Sequence, residues 1–469
     1  MQSTVPAREM SALGHIGSDR LDSQGPVSSA PPRALPAPPP VAALWLAAAA
    51  ALAAGLAVAP RVFHHYDVVD CFLTWARASA GHRPWAIYLT HFERPSDDCD
   101  YPPVVLYLLT LVERARLALG AGATSGAAIV LLKLPAIAAW LAHVPLCAIG
   151  LRRPFGVRAA RLAALLAALS LPLFVNAAAW GQFDALVSLG VVAALVALLN
   201  RRAGWAGAAL GLALATKLLA IVVVPVIVVW TWRRRGARPL LGVAAAALLV
   251  MALCTLPYVA RGAARPVLAS YHGAVGYYPF RTVEAYNLWY VLDRVDVRLR
   301  GQPAGDARAD TRIVAGPVTH RDVGLALLAL WTGLVLAGLW RWPGEGGLLL
   351  AAALQFFAVF MLPTQMHQRY VLPAAVLVGL VAPLSPRARA VFIVLTLTAT
   401  LNQGLDLGRA ALDHAVAVDP FAVADPPAVR VALRKAATAV ALANLGLLGW
   451  WTAVYRRDLA EMARLQTTE

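Results

Sequence analysis

Charged residues are scarce in this chain of 469 residues: they make up 14% of it, whereas 60% of the residues are hydrophobic. Acidic residues are scarcer than basic ones, with 25 Asp and Glu against 41 Lys and Arg. A soluble domain of this length needs far more polar surface. The composition therefore excludes a soluble globular protein and predicts an all-α, multi-pass membrane protein.

The excess of positive charge does not indicate a nucleic-acid partner. The net charge is +16, but the arginines lie in short groups at the ends of apolar runs. These groups are Arg152-Arg153 with Arg158 and Arg161, Arg201-Arg202, Arg233-Arg234-Arg235 with Arg238, Arg387 with Arg389, and Arg456-Arg457. Short cytoplasmic loops carry such Lys/Arg excesses. We therefore place these groups in the cytoplasm and expect membrane lipids, and no nucleic acid, as partners.

Long apolar runs fill most of the chain between Val41 and Tyr455. With the arginine groups inside, they predict a bundle of about twelve transmembrane helices: about 41–60, 127–150, 159–177, 183–200, two short helices within 205–232, 239–259, 321–341, 347–363, 371–385, 389–407 and 433–455. The run 205–232 is too long for one upright helix and short for two, since a span needs about 20 residues. We expect it to break at Lys217, near the outer face.

This threading predicts the organisation of the whole chain. Residues 1–40 are rich in Ser, Pro, Gly and Ala and are expected to be a disordered cytoplasmic tail. A membrane domain, 41–457, follows, with two large extracytoplasmic segments at 61–126 and 260–320. Residues 458–469 are expected to be a cytoplasmic tail. The predicted location is the cell inner (plasma) membrane.

Cysteine is also rare, at four residues. Cys147 and Cys254 lie within predicted spans, where cysteine is a small apolar residue. Cys71 and Cys99 both lie in the first outer segment, where the compartment allows a disulfide. The sequence leaves both a bridge and two free thiols open. It contains no His/Asp/Glu cluster with metal-ligand spacing, so we expect neither a metal nor a cofactor.

The polar residues that interrupt the apolar runs all fall on the predicted outer side. They form five groups: Asp67 to Asp70, Cys99-Asp100-Tyr101-Pro102-Pro103, Trp180-Gly181-Gln182-Phe183-Asp184, Lys217, and His367-Gln368-Arg369-Tyr370. A charge near hydrocarbon is costly and is usually retained for function. The clustering on one side predicts a single site at the extracytoplasmic face.

Several of these residues also have a structural interpretation. Asp67 and Asp70 suit a general base, but also a solvated loop or a helix N-cap. The aromatic residues Trp75, Trp85, Tyr88 and Tyr101 suit a sugar-binding surface as well as an interfacial belt. Arg369 suits bidentate contact with a phosphate, or snorkelling toward headgroups. Lys217 has no acidic neighbour in the sequence, which favours a phosphate partner.

The order of these motifs resembles the GT-C membrane glycosyltransferases, and in particular bacterial proteins related to GPI mannosyltransferase II. The resemblance rests on an Asp before Trp75, Cys99-Asp-Tyr-Pro-Pro, Trp180-Gly-Gln-Phe-Asp, Lys217 before a Pro-containing span, Val283-Glu-Ala-Tyr-Asn-Leu-Trp289 and Met366-His-Gln-Arg-Tyr. It is also similar to the lipid-phosphate-glucose glucosyltransferases of N-glycan assembly. It covers about residues 60–375. Gln368 departs from the pattern, because relatives often have Glu there.

The resemblance implies a GT-C-type bundle and a role for each residue. Asp67 or Asp70 is the catalytic base, with Asp67 slightly preferred. Asp100, Tyr101 and Trp75 shape the acceptor site. His367, Arg369 and Lys217 bind the donor phosphate. The residues implied to line the donor site are Gln182, Asp184, Glu284, Asn287, Trp289 and Tyr370.

The activity implied is transfer of a hexose, with mannose first, from a polyprenyl-phosphate sugar to an extracytoplasmic lipid or glycan acceptor, with inversion. Glucose and arabinose donors suit the same residues. Two other hypotheses stay open at this stage: a flippase or transporter of lipid-linked sugars, because mid-membrane charge and broken helices suit transporters, and a polymerase or ligase of surface polysaccharide.

Overall fold

A computed structural model describes residues 37–79, 83–90, 98–273, 276, 278–300, 309–418 and 427–465. The predicted tail at 1–40 lies outside them except for its last four residues. From Pro38 onward the described residues belong to one unit.

Helices make up most of the described residues. The α-helices are Val41–Val58, Thr74–Ala78, Ala86–Leu89, Pro103–Ala118, Gly126–Gly150, Arg152–Ala168, Leu171–Phe174, Asp184–Leu199, Ala203–Thr216, Val224–Arg235, Ala237–Val259, Ala264–His272, Leu288–Arg300, His320–Arg341, Glu345–Met361, Leu372–Val381, Pro386–Val418 and Pro427–Leu465. Two π-helical segments, Tyr66–Leu73 and Val175–Trp180, and a 3-10 helix, Leu218–Val223, join them. The strand Thr282–Val283 pairs in parallel with Met366–His367, and Ile313–Ala315 pairs antiparallel with Val318–Thr319.

Within these described ranges, seven helical segments are long and apolar enough to cross a membrane. They are Val41–Val58, Gly126–Gly150, Arg152–Trp180, Ala237–Val259, His320–Arg341, Pro386–Ala415 and Ala428–Arg464. Four shorter apolar helices lie among them, at Asp184–Leu199, Ala203–Thr216, Glu345–Met361 and Leu372–Val381. The prediction of an all-α, multi-pass membrane protein is confirmed. The last helix continues to Leu465, beyond the predicted start of a tail at residue 458.

The helix break predicted at Lys217 is present. Ala203–Thr216 ends there, because Lys217 has extended backbone angles (φ −163°, ψ 137°), and a 3-10 segment follows. Gly207 and Gly211 let this short helix approach Ala237–Val259 closely. A Cβ atom at either glycine would lie 2.2–2.4 Å from a backbone oxygen of that helix. This small-residue spacing is typical of helix contacts in membranes.

The first outer segment contains a helix that the sequence did not predict, Pro103–Ala118. Pro103 occupies its first position, where a missing N–H costs nothing. Its buried Glu113 forms an ion pair with Arg116, at 2.7 Å between Oε1 and Nη2, and so keeps the charge satisfied within the helix. This helix is shorter than the spanning helices and packs against Thr74–Ala78 and Gly126–Gly150.

The arginine groups and the polar motifs lie at opposite ends of the apolar helices. At one end, Asn200 donates to the Gly150 carbonyl, Trp230 to that of Gly344, and Arg387 pairs with Asp458 at 3.1 Å. The other end of the bundle contains the last turn of Val41–Val58 and the first turn of Gly126–Gly150. The polar motifs lie at this end. The two innermost helices, Glu345–Met361 and Leu372–Val381, are almost wholly buried. They position the connection between them, residues 362–371, in the middle of the polar end.

Candidate functional site

Asp67 lies in the π-helical segment Tyr66–Leu73, and its carboxylate is oriented from across the molecule. The indole N–H of Trp180 donates to its Oδ2 at 2.8 Å, and the Gln182 amide donates to the same oxygen. His64 stacks on the Trp180 ring, with ring centroids 4.9 Å apart, and its Nδ1 lies 3.7 Å from the Asp67 Oδ1. One carboxylate oxygen is therefore fixed by two donors, and the other faces an imidazole.

Several charges and dipoles keep Asp67 ionised. Burial acts to raise the pKa of its carboxyl. The charge of Arg369, the interaction with His64, and the hydrogen bonds from Trp180 and Gln182 together outweigh burial, so the pKa lies below its ordinary value of 3.8. Burial lowers the pKa of His64, with further lowering by Arg369 and Arg409 against the opposing effect of Asp67. At neutral pH the pair is a carboxylate beside a neutral imidazole.

Asp70, the alternative base, points elsewhere. Its side chain is 48% exposed, against 16% for Asp67, and it lies 3.6 Å from His65. The His65 ring in turn stacks on His414 at 3.7 Å between centroids. Asp70 thus belongs to the exposed edge of the segment, and Asp67 to its interior.

Asp184 forms the second buried carboxylate. It is fully buried at the start of its helix; Lys217 Nζ lies 2.7 Å from its Oδ1, and Arg369 Nε lies 3.6 Å from its Oδ2. Lys217 also lies over the rings of Tyr101 and Tyr370, at 5.4 and 5.0 Å. We call Asp67, Asp184, Lys217 and Arg369 the central cluster. Lys217 has no acidic neighbour in the sequence, but the fold brings Asp184, 33 residues away in sequence, into contact with it.

The Asp184–Lys217 contact makes a testable contribution to stability. Replacing Asp184 by Asn should destabilise the protein by about 3 kcal/mol, because an ammonium is left desolvated without its counter-charge. Unfolding in detergent, followed by circular dichroism, measures the loss. The double variant with Lys217→Met removes both charges and should recover part of that loss. Equal stability of Asp184→Asn and the wild type would contradict the assignment.

Arg369 links the two carboxylates. Burial opposes its charge, but the carboxylates of Asp67 and Asp184 more than compensate, so its pKa is raised above the ordinary value. Its guanidinium lies 5.9 Å from the ring centres of both Trp180 and Tyr370. Among the residues that the structure describes, its buried Nε has no hydrogen-bond partner. The guanidinium therefore retains hydrogen-bonding capacity for an anion.

His367 lies beside Arg369 on the short strand Met366–His367. Its ring contacts Tyr278 and Tyr370, with centroids 5.0 and 5.1 Å away. Burial, with Arg369 and Lys217 nearby, lowers its pKa well below 6.5. The imidazole is therefore neutral at physiological pH, so it can donate one hydrogen bond to a phosphate but adds no charge to the central cluster.

The predicted acceptor residues divide into inner and outer members. The Tyr101 hydroxyl donates to the Gln182 Oε1 at 2.9 Å, which connects it to Asp67 through the Gln182 amide. Trp75 is 3% exposed and packs edge-on against Phe72, so it supports the aromatic core rather than a free sugar surface. Asp100 is exposed at the turn before Pro102, yet its carboxylate interacts electrostatically with Lys217 and Arg369 of the central cluster.

Of the two cysteines in this segment, Cys71 is buried and Cys99 half-buried. Both are free thiols in the structure. The sequence left open either a disulfide between Cys71 and Cys99 or two free thiols, and the structure has two free thiols.

The predicted donor-lining residues after Val283 do not gather at Asp67. Asn287 is fully buried; its Oδ1 accepts from the backbone N–H groups of Trp289 and Tyr290 and so caps the helix Leu288–Arg300. Trp289 is 1% exposed and donates to the Leu362 carbonyl at 2.7 Å. Both are better described as internal supports. Glu284 forms an ion pair with Arg409 at 2.8 Å, and its backbone pairs with that of His367.

Three functional features were missed by the sequence interpretation. The Trp180 side chain is a direct partner of Asp67, although only its motif was noted. Arg409, two residues beyond the predicted span 389–407, pairs with Glu284 and, at 2.8 Å, with Asp406 inside that span. Lys133, near the start of the predicted span 127–150, donates to four backbone carbonyls, those of Ala59, Val62, Ala178 and Ala179. A charged residue within an apolar run was the available signal in both cases, Asp406 for the Arg409 pair and Lys133 itself.

Metal ligation is not evident at the polar end. Across the part of the chain that the structure describes, no group of three or more His, Cys, Asp or Glu side chains is arranged to hold a metal ion.

Comparison with solved structures finds similarity to ArnT from Cupriavidus metallidurans. Against ArnT bound to undecaprenyl phosphate, the TM-score is 0.48 at 15% identity, covering 89% of this chain and 77% of that one. Against apo ArnT, the values are 0.46, 16%, 88% and 77%. No family model and no curated protein matches the chain. At these values we draw nothing about reaction or substrate from the similarity.

Proposed function

We propose that the protein is an integral membrane glycosyltransferase of the GT-C type, which moves a hexose from a polyprenyl-phosphate sugar to a lipid or glycan acceptor. The observation that carries the proposal is Asp67: an ionised carboxylate at the polar end of an apolar helix bundle, oriented by Trp180 and Gln182 beside the guanidinium of Arg369. A positioned carboxylate next to a cation suits deprotonation of a hydroxyl beside a leaving phosphate. The motif resemblance supports the same assignment.

The chemistry assigns the two halves of the central cluster different tasks. Asp67 takes the proton of the acceptor hydroxyl, and the hydroxyl oxygen forms a bond to the anomeric carbon. The bond from that carbon to the phosphate oxygen breaks, and its electron pair stays on the phosphate. Attack from the face opposite the leaving group inverts the configuration. Negative charge develops on the phosphate, where Arg369 and Lys217 stabilise it and His367 donates a hydrogen bond.

The finer assignments follow from the sequence. Mannose is proposed as the first sugar to test because of the resemblance to bacterial proteins related to GPI mannosyltransferase II. The inner (plasma) membrane and an extracytoplasmic site are proposed because the arginine groups lie at the end opposite the central cluster, and such groups favour the cytoplasm.

The test is sugar transfer by purified protein in detergent, with short-chain polyprenyl-phosphate mannose and glucose and a mixed acceptor lipid fraction. Arg369→Ala should lower turnover by about 100-fold, because a desolvated donor to the developing charge is lost. Arg389→Ala is the matched control, since Arg389 is exposed at the opposite end. Transport of labelled lipid-sugar across proteoliposomes without donor consumption would replace the enzyme assignment by a transporter.

A further inference from the structure

A second polar feature lies beside the central cluster: an open cavity of about 220 Å³. Its walls come from the segment after Thr282, from the helix Leu288–Arg300 and from the two long C-terminal helices, Pro386–Val418 and Pro427–Leu465. Of its lining residues, the sequence interpretation assigned only Glu284, to the donor site, and the transfer chemistry above uses none of them.

Positive charge dominates the cavity. Its charged lining residues are Arg294, Arg409, Arg430 and Arg434 against Glu284 and Asp293. Both carboxylates are already neutralised, Glu284 by Arg409 at 2.8 Å and Asp293 by Arg281 at 2.6 Å. The cavity therefore has an excess of cationic groups, which three helices bring together.

Two of the arginines are not matched by acids. Arg430 pairs with Asp413 at 3.0 Å, and Arg409 is shared between two carboxylates. Within the described ranges, no carboxylate lies within ion-pair distance of Arg294 or Arg434: Arg294 bonds to Tyr290, and Arg434 donates to the Arg430 carbonyl. The buried Nε of Arg409 also has no hydrogen-bond partner in that part of the chain.

Aromatic rings complete the inner wall. Tyr286 and Tyr290 pack edge-on, with centroids 5.0 Å apart, and both line the cavity. Planar guanidinium groups suit a phosphate, and tyrosine rings suit the apolar face of a sugar or glycerol unit. The combination favours a ligand that has a phosphate attached to an organic group over a free ion.

Hydrogen bonds and an ion pair connect the wall of the cavity to the chain segment that contains His367 and Arg369. Glu284, on its wall, pairs by backbone with His367, two residues before Arg369. The Gln368 amide donates to Asp406, which is the second partner of Arg409. A ligand that contacts Arg409 therefore lies next to the chain segment that presents His367 and Arg369.

We propose that this cavity binds a phosphate-bearing group of the acceptor, and so holds the acceptor beside Asp67. The inference rests on the proposed glycosyl transfer for the identity of the ligand as acceptor, whereas the anion site itself rests on the cavity. The donor phosphate stays assigned to Arg369 and Lys217, so the two phosphates occupy separate places.

Direct binding tests the site without turnover. Native mass spectrometry of the full chain uses two probes, phosphatidic acid in neutral lipid nanodiscs and mannose 1-phosphate in solution. The double variant Arg294→Gln/Arg434→Gln should bind at least about tenfold more weakly, since two charge-assisted contacts are lost. Arg457→Gln, exposed near the other end of the same helix as Arg434, is the matched control. If only phosphatidic acid binds, the ligand of the cavity is a lipid headgroup. If mannose 1-phosphate binds as well, the cavity recognises the phosphate group without needing a lipid.

Equal binding by the wild type and the double variant, or no binding of either probe by the wild type, would overturn the site. In the transfer assay the double variant should raise the KM for acceptor with kcat unchanged, and an unchanged KM would overturn the acceptor assignment. Donor hydrolysis without acceptor should be the same in both proteins. If the wild type consumes no donor while probe binding still depends on the two arginines, the proposed function fails and the anion site stands.

Discussion

Replacing Asp67 by Asn should lower the rate of sugar transfer by about a thousandfold, which is the effect expected when a positioned general base is removed. Asparagine keeps the size of the side chain and can still accept from Trp180 and Gln182, so the segment Tyr66–Leu73 should fold as before. What is lost is the negative charge that takes the proton and that faces Arg369.

Asp70→Asn is the matched control for this prediction. It lies on the same π-helical segment, three residues away, but it is half exposed and pairs with His65 at 3.6 Å. Its transfer rate should stay close to that of the wild type. Initial rates at saturating donor, with binding of the donor measured separately, distinguish a loss of chemistry from a loss of affinity. A larger loss in Asp70→Asn than in Asp67→Asn would contradict the assignment of the base.

The pH profile gives an independent readout of the same residue. The base acts when deprotonated, and the pKa of Asp67 lies below its ordinary value, so the acidic limb moves to lower pH. The wild-type kcat/KM should therefore stay flat from about pH 8 down to about pH 5. An acidic limb near the ordinary pKa of histidine would instead point to His64 as the base.

The threading of the chain could be predicted because it depends on one local signal. Apolar length defines a span, and arginine groups at its ends define its direction. That reasoning placed Asp67, the Trp180–Asp184 motif, Lys217 and Arg369 at one end of the bundle. The structure brings these residues into contact.

The pairing of the charges could not be predicted, because it depends on which helices become neighbours. Lys217 has no acid near it in sequence, and only the packing of its broken helix against Asp184–Leu199 supplies one. The same limit applies to Asn287 and Trp289. A motif can identify these residues, but whether their polar atoms face a ligand or the backbone depends on burial, and here both face the backbone.

Lys133 is the clearest case of a signal that was present and unused. It is one of only three lysines in the chain and lies within an apolar helix. Its ammonium donates to the carbonyls of Ala59 and Val62, at 2.9 and 2.6 Å, and to those of Ala178 and Ala179, at 2.8 and 3.1 Å. It therefore joins the chain just before Asp67 to the chain just before Trp180.

Gly181 shows how closely this lysine fits. It has a left-handed backbone (φ +97°), and a Cβ atom there would lie 2.9 Å from the Cε of Lys133 and 2.8 Å from a methyl carbon of Val68. The close approach lets the Trp180 and Gln182 side chains reach the Asp67 carboxylate together. We therefore expect Lys133 to be a positioning residue. It would act on the proposed base, Asp67, indirectly, by holding the two side chains that donate to it, Trp180 and Gln182.

Lys133→Met should cost at least about 3 kcal/mol of unfolding free energy, because three buried carbonyls lose their donor at about 1–3 kcal/mol each when left unpaired, and a fourth, partly buried, loses it too. Lys435→Met is the matched control, since Lys435 is exposed and should tolerate the change. Denaturant titration in detergent measures stability. The kcat for sugar transfer should fall while the affinity for the donor stays the same, because Asp67 is misplaced while Arg369 and Lys217 keep their positions. A stable, fully active Lys133→Met protein would show that the four carbonyls are satisfied in another way and that the base needs no such support.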